Sequence, residues 1–301
     1  MPLYLKLPAT SANLGPGFDT LGLAMDFYLH LEAEVAEQDV IVATGRNAQV
    51  CGDVSDSLVL ATYRDVLQQQ GIDPSPLAIK LHNEIPLGMG CGSSAAALVA
   101  GVALAAHFGN LHWGRHKILT EASLREGHPD NVAACVLGGL TVSAMSGEDV
   151  SAVAIAPAVD WPLLLVLPES SLSTKTARGL LPETYSRADA VANIQASSLL
   201  VAAFASGRGD LLRAAMQDRI HQPYRAEVCP LLPALLPLAE TVGILGVALS
   251  GAGPSVLLIL RDRDTVASAE EAVGLKLDEC AIKAEIVGTR TGKAATFAAS
   301  K

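Results

Sequence analysis

The sequence predicts an α/β fold in which strands and helices alternate along the whole chain. Three observations carry this reading. Segments that alternate apolar and polar residues with period two are interleaved with segments of helical spacing from one end to the other. Half of the 301 residues are hydrophobic but only 4% are aromatic, so a sizeable core has to be built from Ala, Val, Leu and Ile. No repeat or low-complexity tract interrupts the pattern, and a proline-rich stretch near the middle divides it into two compact layers.

The elements follow in order. "LYLKL" (Leu3 to Leu7) alternates like a half-buried strand, as do Leu29 to Ala36 and Leu77 to Ile85. Between the last two, "DSLVLATYRDVLQQQGI" has helical spacing and a natural stop at Gly71. A glycine loop then leads into a helix from Ser94 to His107, apolar all round and therefore expected to be buried. Lys117 to Gly127 reads as a helix and Gly138 to Ala144 as a strand. Pro157, Pro162 and Pro168 bracket a short apolar strand, which places a boundary at Pro157, between a unit of residues 1–157 and one of residues 158–301. Helical patterns over 188–205, 210–217 and 231–243 follow, then strands at Gly246 to Ser250 and Ser255 to Leu260. A helix from Asp264 to Val273 and strands at Ala284 to Thr289 and Ala295 to Ala299 close the chain.

Composition narrows the function classes. With 21 basic against 31 acidic residues the net charge is -10, which argues against a nucleic-acid partner but leaves room for a small anionic ligand held by local arginines. No membrane span is expected, since the most apolar run, Ala95 to Phe108, is 14 residues long and broken by Gly101 and His107. The opening residues lack the basic leader and long apolar core of a signal peptide. The five cysteines, odd in number and without a C-x-x-C pair, read as free thiols of a reducing cytoplasm and not as a zinc site.

The stretch "IPLGMGCGSSAAA" (Ile85 to Ala97) is the strongest local signal. Glycine costs conformational entropy, so glycines on alternate positions need a backbone reason: positive φ or close approach. Followed by Ser93, Ser94 and a helix start, Gly88, Gly90 and Gly92 would let backbone N–H groups wrap around an anion such as phosphate. The Walker pattern is absent, and G-x-G-x-G differs from the dinucleotide fingerprint G-x-G-x-x-G.

Three further stretches sharpen this: "PATSANLGPGFDTLGLA" (Pro8 to Ala24), "EGHPDNVAACVLGG" (Glu126 to Gly139) and "LSGAGPSV" (Leu249 to Val256). Together with the glycine loop they resemble the galactokinase–homoserine kinase–mevalonate kinase–phosphomevalonate kinase (GHMP) superfamily, and within it the homoserine kinase family. "PATSANLGPGFD" is the most distinctive, and "LSTKTAR" (Leu172 to Arg178) and "HQPYR" (His221 to Arg225) are similar to segments of that family. The resemblance implies a two-domain GHMP kinase fold, with a left-handed βαβ crossover in an N-terminal ATP-binding domain and a ferredoxin-like C-terminal domain. It implies ATP as co-substrate, Mg²⁺, and L-homoserine phosphorylated on its side-chain hydroxyl, a step toward threonine. Membrane association is not expected, and the oligomeric state is left open between monomer and homodimer. The rival readings are a GHMP kinase for another small alcohol and a non-catalytic nucleotide-binding relative.

Carried over residue by residue, the loop Pro86, Leu87, Gly88, Met89, Gly90, Cys91, Gly92, Ser93, Ser94, Ala95 and Ala96 would bind ATP. Ser94 and Glu126 would ligate the metal. Asp130 and Asn131 would lie beside the reacting hydroxyl, and Arg178 would act on the transferred group. Asn13, Asp19, Asn131, Arg178 and Arg225 would hold the amino-acid substrate: Asp19 the ammonium, the arginines its carboxylate or the γ-phosphate. His128 reads as loop scaffolding. The chain departs from its relatives at Met89 and Cys91, where they carry Arg and Leu, and at Ser57, where they often carry Asn near the adenine. Lying just before a helix N-terminus, Cys91 is expected to have a lowered pKa and to react fastest of the five thiols with iodoacetamide; a buried, inert thiol is the competing reading.

Overall fold

The computed structural model describes residues 1–299 and contains two sheets. The first is built from β1 (Leu3–Asn13), β2 (Gly17–Val35), β3 (Val40–Gly45), β4 (Leu77–Asn83), β5 (Leu140–Ser146) and β6 (Asp149–Ile155). The chain closes with β11 (Thr296–Ala299), which returns to pair antiparallel with β1. Residues 296–299 therefore belong to the sheet of the first unit, and a single cut at residue 157 does not separate the two sheets. β3 and β4 run parallel, joined through α1 (Ala48–Cys51) and α2 (Leu58–Gln69).

Local chemistry accounts for these elements. Leu3, Leu5 and Leu7 of β1 point into the core while Tyr4 is exposed. Ser57 caps α2 by accepting a hydrogen bond from Leu60 N–H, and Gly71 takes a left-handed φ of 70° just beyond the helix. α3 (Ser93–Phe108) is buried over most of its length, as its all-round apolar surface requires, and α4 (Arg115–Glu126) ends at a left-handed Gly127. α5 (Asp130–Leu137) packs against β1 and β2 with seven of its eight residues buried.

The second sheet is formed by β7 (Leu163–Pro168), β8 (Ile244–Leu249), β9 (Val256–Leu260) and β10 (Ala284–Thr289) in the order β10-β7-β9-β8. In its own chain order that is 4-1-3-2, all antiparallel, the arrangement of a ferredoxin-like βαββαβ unit. Its intervening helices are α6 (Thr174–Gly179), α7 (Arg187–Ser206), α8 (Leu212–Ala215), α9 (Gln222–Arg225), α10 (Leu231–Leu235) and α11 (Val266–Glu279). The helical patterns over 210–217 and 231–243 resolve into short helices and 3-10 turns, in the second case with Pro233 and Pro237 interrupting the backbone ladder.

β7, β8 and β9 are buried on both faces, which is why they read as nearly unbroken apolar runs, whereas the edge strand β10 is partly exposed. Leu163, Leu165 and Leu167 of β7 join the large core that also fills the first sheet, with Leu200 and Phe204 of α7. Leu164 and Val166 turn to a smaller core under α10 and α11. By length and composition α7 could cross a bilayer, a feature outside the sequence expectation, yet it lays Ala196, Leu200, Ala203 and Phe204 into the protein core. Trp161 meets Phe204 edge to face at 5.1 Å, pinning the link between the sheets to α7. Phe204→Ala is expected to destabilise the protein by about 3–5 kcal/mol, read as a lower urea midpoint in an unfolding titration.

Candidate active site

One cleft of about 220 Å³ collects residues from six separate segments of chain. It is lined by Asn13 and Asp19, by Gly88 to Ser94 of the loop without Met89, and by Glu126, Asp130 and Asn131. Arg178, Arg225 and the Gly251 turn complete it.

The glycine loop owes its shape to backbone conformation. Gly88, Gly90 and Gly92 all have φ near 70° (69°, 70° and 70°), so left-handed residues alternate with ordinary ones. A Cβ on Gly90 would sit 2.1 Å from Ser250 O, and one on Gly92 1.8 Å from Thr10 Oγ1. The loop carbonyls are held from outside: Leu172 N–H donates to Gly88 O at 3.2 Å, Thr10 N–H to Cys91 O at 3.0 Å and Ser250 Oγ to Gly90 O at 2.7 Å. The bond from Ala96 N–H to Gly92 O begins α3, and the N–H groups before it are those a helix start offers to an anion.

At that helix start Ser94 Oγ donates to Glu126 Oε2 at 2.8 Å. Burial pushes the Glu126 carboxyl above its ordinary range, against the pull of the Ser94 hydrogen bond and His128. A hydroxyl and a carboxylate at the mouth of an anion-binding loop are the hard oxygen donors that Mg²⁺ takes alongside phosphate. A second cluster, Asp19, His128 and Asp130, brings three ligand atoms within 4.8 Å of one another. It fits Mg²⁺ less well, because one donor is an imidazole and Asp19 is committed elsewhere.

Asp130 opens α5. Its Oδ1 accepts from His128 Nδ1 at 2.8 Å and from Asn131 N–H at 2.7 Å. An ionised carboxylate only accepts, so the proton lies on His128 Nδ1. For that imidazole, burial disfavours the charge, but the Asp130 hydrogen bond and the nearby carboxylates outweigh it and raise the pKa. Asn131 is oriented by Thr10, whose hydroxyl donates to its Oδ1 at 2.8 Å.

Two arginines complete the site. Arg178 engages both oxygens of Asp19, at 3.0 and 2.5 Å. Asp19 itself stands at φ 53°, with its N–H on Asn13 Oδ1, while Asn13 Nδ2 donates to Gly251 O at 2.8 Å. Arg225 is only 1% exposed and meets neutral acceptors. Burial, reinforced by the charge of Arg178, lowers its pKa. Both guanidinium carbons lie over the Phe18 ring, Arg178 at 5.3 Å and Arg225 at 5.5 Å from its centroid.

Family models match both halves of the chain: GHMP kinases N terminal domain over residues 57–139 and GHMP kinases C terminal over residues 200–278. A homoserine kinase of Solibacter usitatus is 47% identical over 85% of this chain and 84% of its own length. The chain belongs to the homoserine kinase family of GHMP kinases. A homoserine kinase of Moorella thermoacetica is 38% identical over 87% of this chain and 88% of its own. The crystal structure of a homoserine kinase from Cytophaga hutchinsonii superimposes with a TM-score of 0.83 at 26% identity, covering 99% of this chain and 97% of that one.

For this homoserine kinase homologue, then, the cleft brings together Asn13, Asp19, Ser94, Glu126, Asp130, Asn131, Arg178 and Arg225. A second, mostly apolar cavity of about 290 Å³ lies on the other side of the α3 start and shares Ser93 and Ser94 with the first. Ser57, Leu87, Ala96 and Ala97 line it, with Val59 and Ile85. Pro86, Met89 and Ala95 line neither cavity; Pro86 and Ala95 are buried, and Met89 packs against the core. Sequence reasoning passed over Phe18, Thr10 and His221, although all three sit inside the quoted motifs. Their signal was position beside assigned residues, and their contacts arise only on folding.

The expectation for Cys91 is overturned. Its side chain is 1% exposed, its Sγ turns back toward Met89 O at 3.6 Å, and burial pushes the thiol up to about 12. The loop does face the cleft, but through its backbone, while the thiol fills the space beneath. Cys280 is the exposed cysteine and Cys51 the half-buried one. Under iodoacetamide Cys280 should label first and Cys91 only on unfolding, at a rate indifferent to ATP; peptide mass spectrometry gives the order.

Proposed function

We infer that this chain transfers the γ-phosphoryl group of ATP to the side-chain hydroxyl of L-homoserine, releasing ADP and O-phospho-L-homoserine on the route to threonine. The observation that carries it is a single cleft in which an anion-binding backbone loop faces a set complementary to an amino-acid zwitterion. The hydroxyl oxygen forms a bond to the γ-phosphorus as the bond to the β,γ-bridging oxygen breaks, and the hydroxyl proton leaves to a base or to solvent.

The residues divide the work as follows. N–H groups of the loop and of the first turn of α3 cradle the phosphates, and the apolar cavity by Ser57 receives the adenosine. Ser94 and Glu126 would hold Mg²⁺, which when bound neutralises charge on the β- and γ-phosphates. Asp19 takes the substrate ammonium. Arg225, a buried cation meeting only neutral acceptors, takes the substrate carboxylate, and Arg178 beside it faces the transferred group. Asp130 and Asn131 orient the hydroxyl. Because His128 already donates to Asp130, we read this carboxylate mainly as a positioning group and the transfer as driven by alignment and charge. The five unpaired cysteines suit a reducing cytoplasm.

Coupled ADP release tests the assignment with L-homoserine, L-threonine, L-serine and mevalonate in parallel: turnover should require Mg²⁺ and select L-homoserine. Equal ADP release with mevalonate, or with no acceptor, would remove homoserine as the substrate. Asp130→Asn should lower kcat less than tenfold with near-normal KM, whereas loss of a general base would lower it by about 10² or more.

A further inference from the structure

Arg225 meets three acceptors, and one of them fixes a proton. Its Nε donates to Ala177 O at 3.3 Å, and its Nη1 to Gly251 O at 3.4 Å and to His221 Nδ1 at 2.9 Å. Nη2 has no acceptor among the described residues. A guanidinium only donates, so His221 Nδ1 must be bare and the ring proton must sit on Nε2, 2.8 Å from Gly15 O.

His221 is fully buried. Burial drives its pKa down to about 4; Asp218 opposes that shift and Arg225 reinforces it. Asp218 Oδ2 lies 3.5 Å from Nε2 but is occupied by the N–H groups of His221 and Gln222. A protonated ring would set one N–H directly against Nη1 of Arg225. The ring also lies 5.4 Å from that of Phe18, over which both guanidinium groups sit.

We propose that His221 is the positioning residue for substrate carboxylate recognition: as a neutral Nε2–H imidazole it anchors Arg225 through Nδ1 to the Gly15 turn, leaving Nη2 directed to the substrate. This rests on the reading of Arg225 as the carboxylate partner. It also ties that cation to Asp19, four residues after Gly15, so one imidazole sets the spacing between the two poles of the zwitterion site.

Two near-isosteric variants separate the two nitrogens. The amide oxygen of Asn reaches the Nδ1 position and can still accept from Arg225; the amide of Gln reaches the Nε2 position and keeps only the bond to Gly15. His221→Gln should raise KM for L-homoserine about tenfold or more, the scale of one lost hydrogen bond to a charged group, with kcat and KM for ATP changing far less. His221→Asn should stay within about threefold, and His221→Gln should add nothing in an Arg225→Ala background.

Equal KM values in the two variants, or a parallel rise in KM for ATP, would assign His221 to structure alone and overturn the proposal. If Arg225→Ala leaves KM for L-homoserine unchanged, the carboxylate reading itself fails; if it raises KM while His221→Gln does not, only this inference fails. Nitrogen-15 NMR of the wild-type enzyme is independent of variant folding. His221 should show a protonated Nε2 and a bare Nδ1 from pH 6 to 9, and the opposite tautomer would also overturn the proposal.

Discussion

The alternating left-handed glycines of residues 88–92 set the geometry on which the rest of the cleft depends. At φ near 70° each permits a reversal that a side chain would resist, and two of them also let the backbone touch neighbouring chain. Gly90 lies against the turn between β8 and β9, and Gly92 lies against Thr10 and Asn131. The loop is therefore a hub: β1, α5 and the second sheet are each held at van der Waals distance from it. Any Cβ at these two positions would push apart the elements that carry Asn13, Asp130 and Gly251. Ser94 then falls in the first turn of α3, opposite Glu126, with no further device needed.

Electrostatics explains how an acidic chain holds anionic ligands. The chain as a whole carries a net charge of -10, whereas Arg178 and Arg225 are gathered about one phenylalanine in the cleft. Two guanidinium groups this close repel each other. Asp19 compensates Arg178 with two hydrogen bonds, and Arg225 is left with neutral acceptors. An isolated buried charge is expensive, and on the proposed reading the substrate carboxylate would offset it. On the proposed reading, Asp19 would exchange one cation for another when an ammonium arrives.

Much of the architecture could be read from pattern, and the exceptions have physical causes. The first half of β2 escaped because Gly17 to Asp26 intersperses Gly and Asp among Leu21, Leu23 and Met25, and its strand character comes from pairing with β1 and β5. β3 and β6 lack a clear polar-apolar alternation, and α5 lacks a helical stripe because almost its whole surface is buried. The return of β11 to β1 cannot be inferred from residues 296–299, since four residues pair equally well with any free edge. Cys91 shows the same limit at one atom: its chain neighbours place it in the glycine loop, but only packing decides that its thiol is buried with Sγ toward Met89 O.

What the sequence by itself determined is the inventory: a glycine loop before an apolar helix, a core of small aliphatic residues, and the ordered motifs that carry the family resemblance, from which the proposed roles of Ser94, Glu126, Asp19 and the two arginines were carried over. The loop and the helix follow from residue type and short spacing, whereas the roles follow from the resemblance. Only the tertiary structure decided the pairings. Asp19 meets Arg178 across 159 residues, and Gly15 meets His221 across 206. Contacts at such separations leave no periodic trace in the chain, because they are selected by the packing of whole sheets and helices and not by the residues beside them.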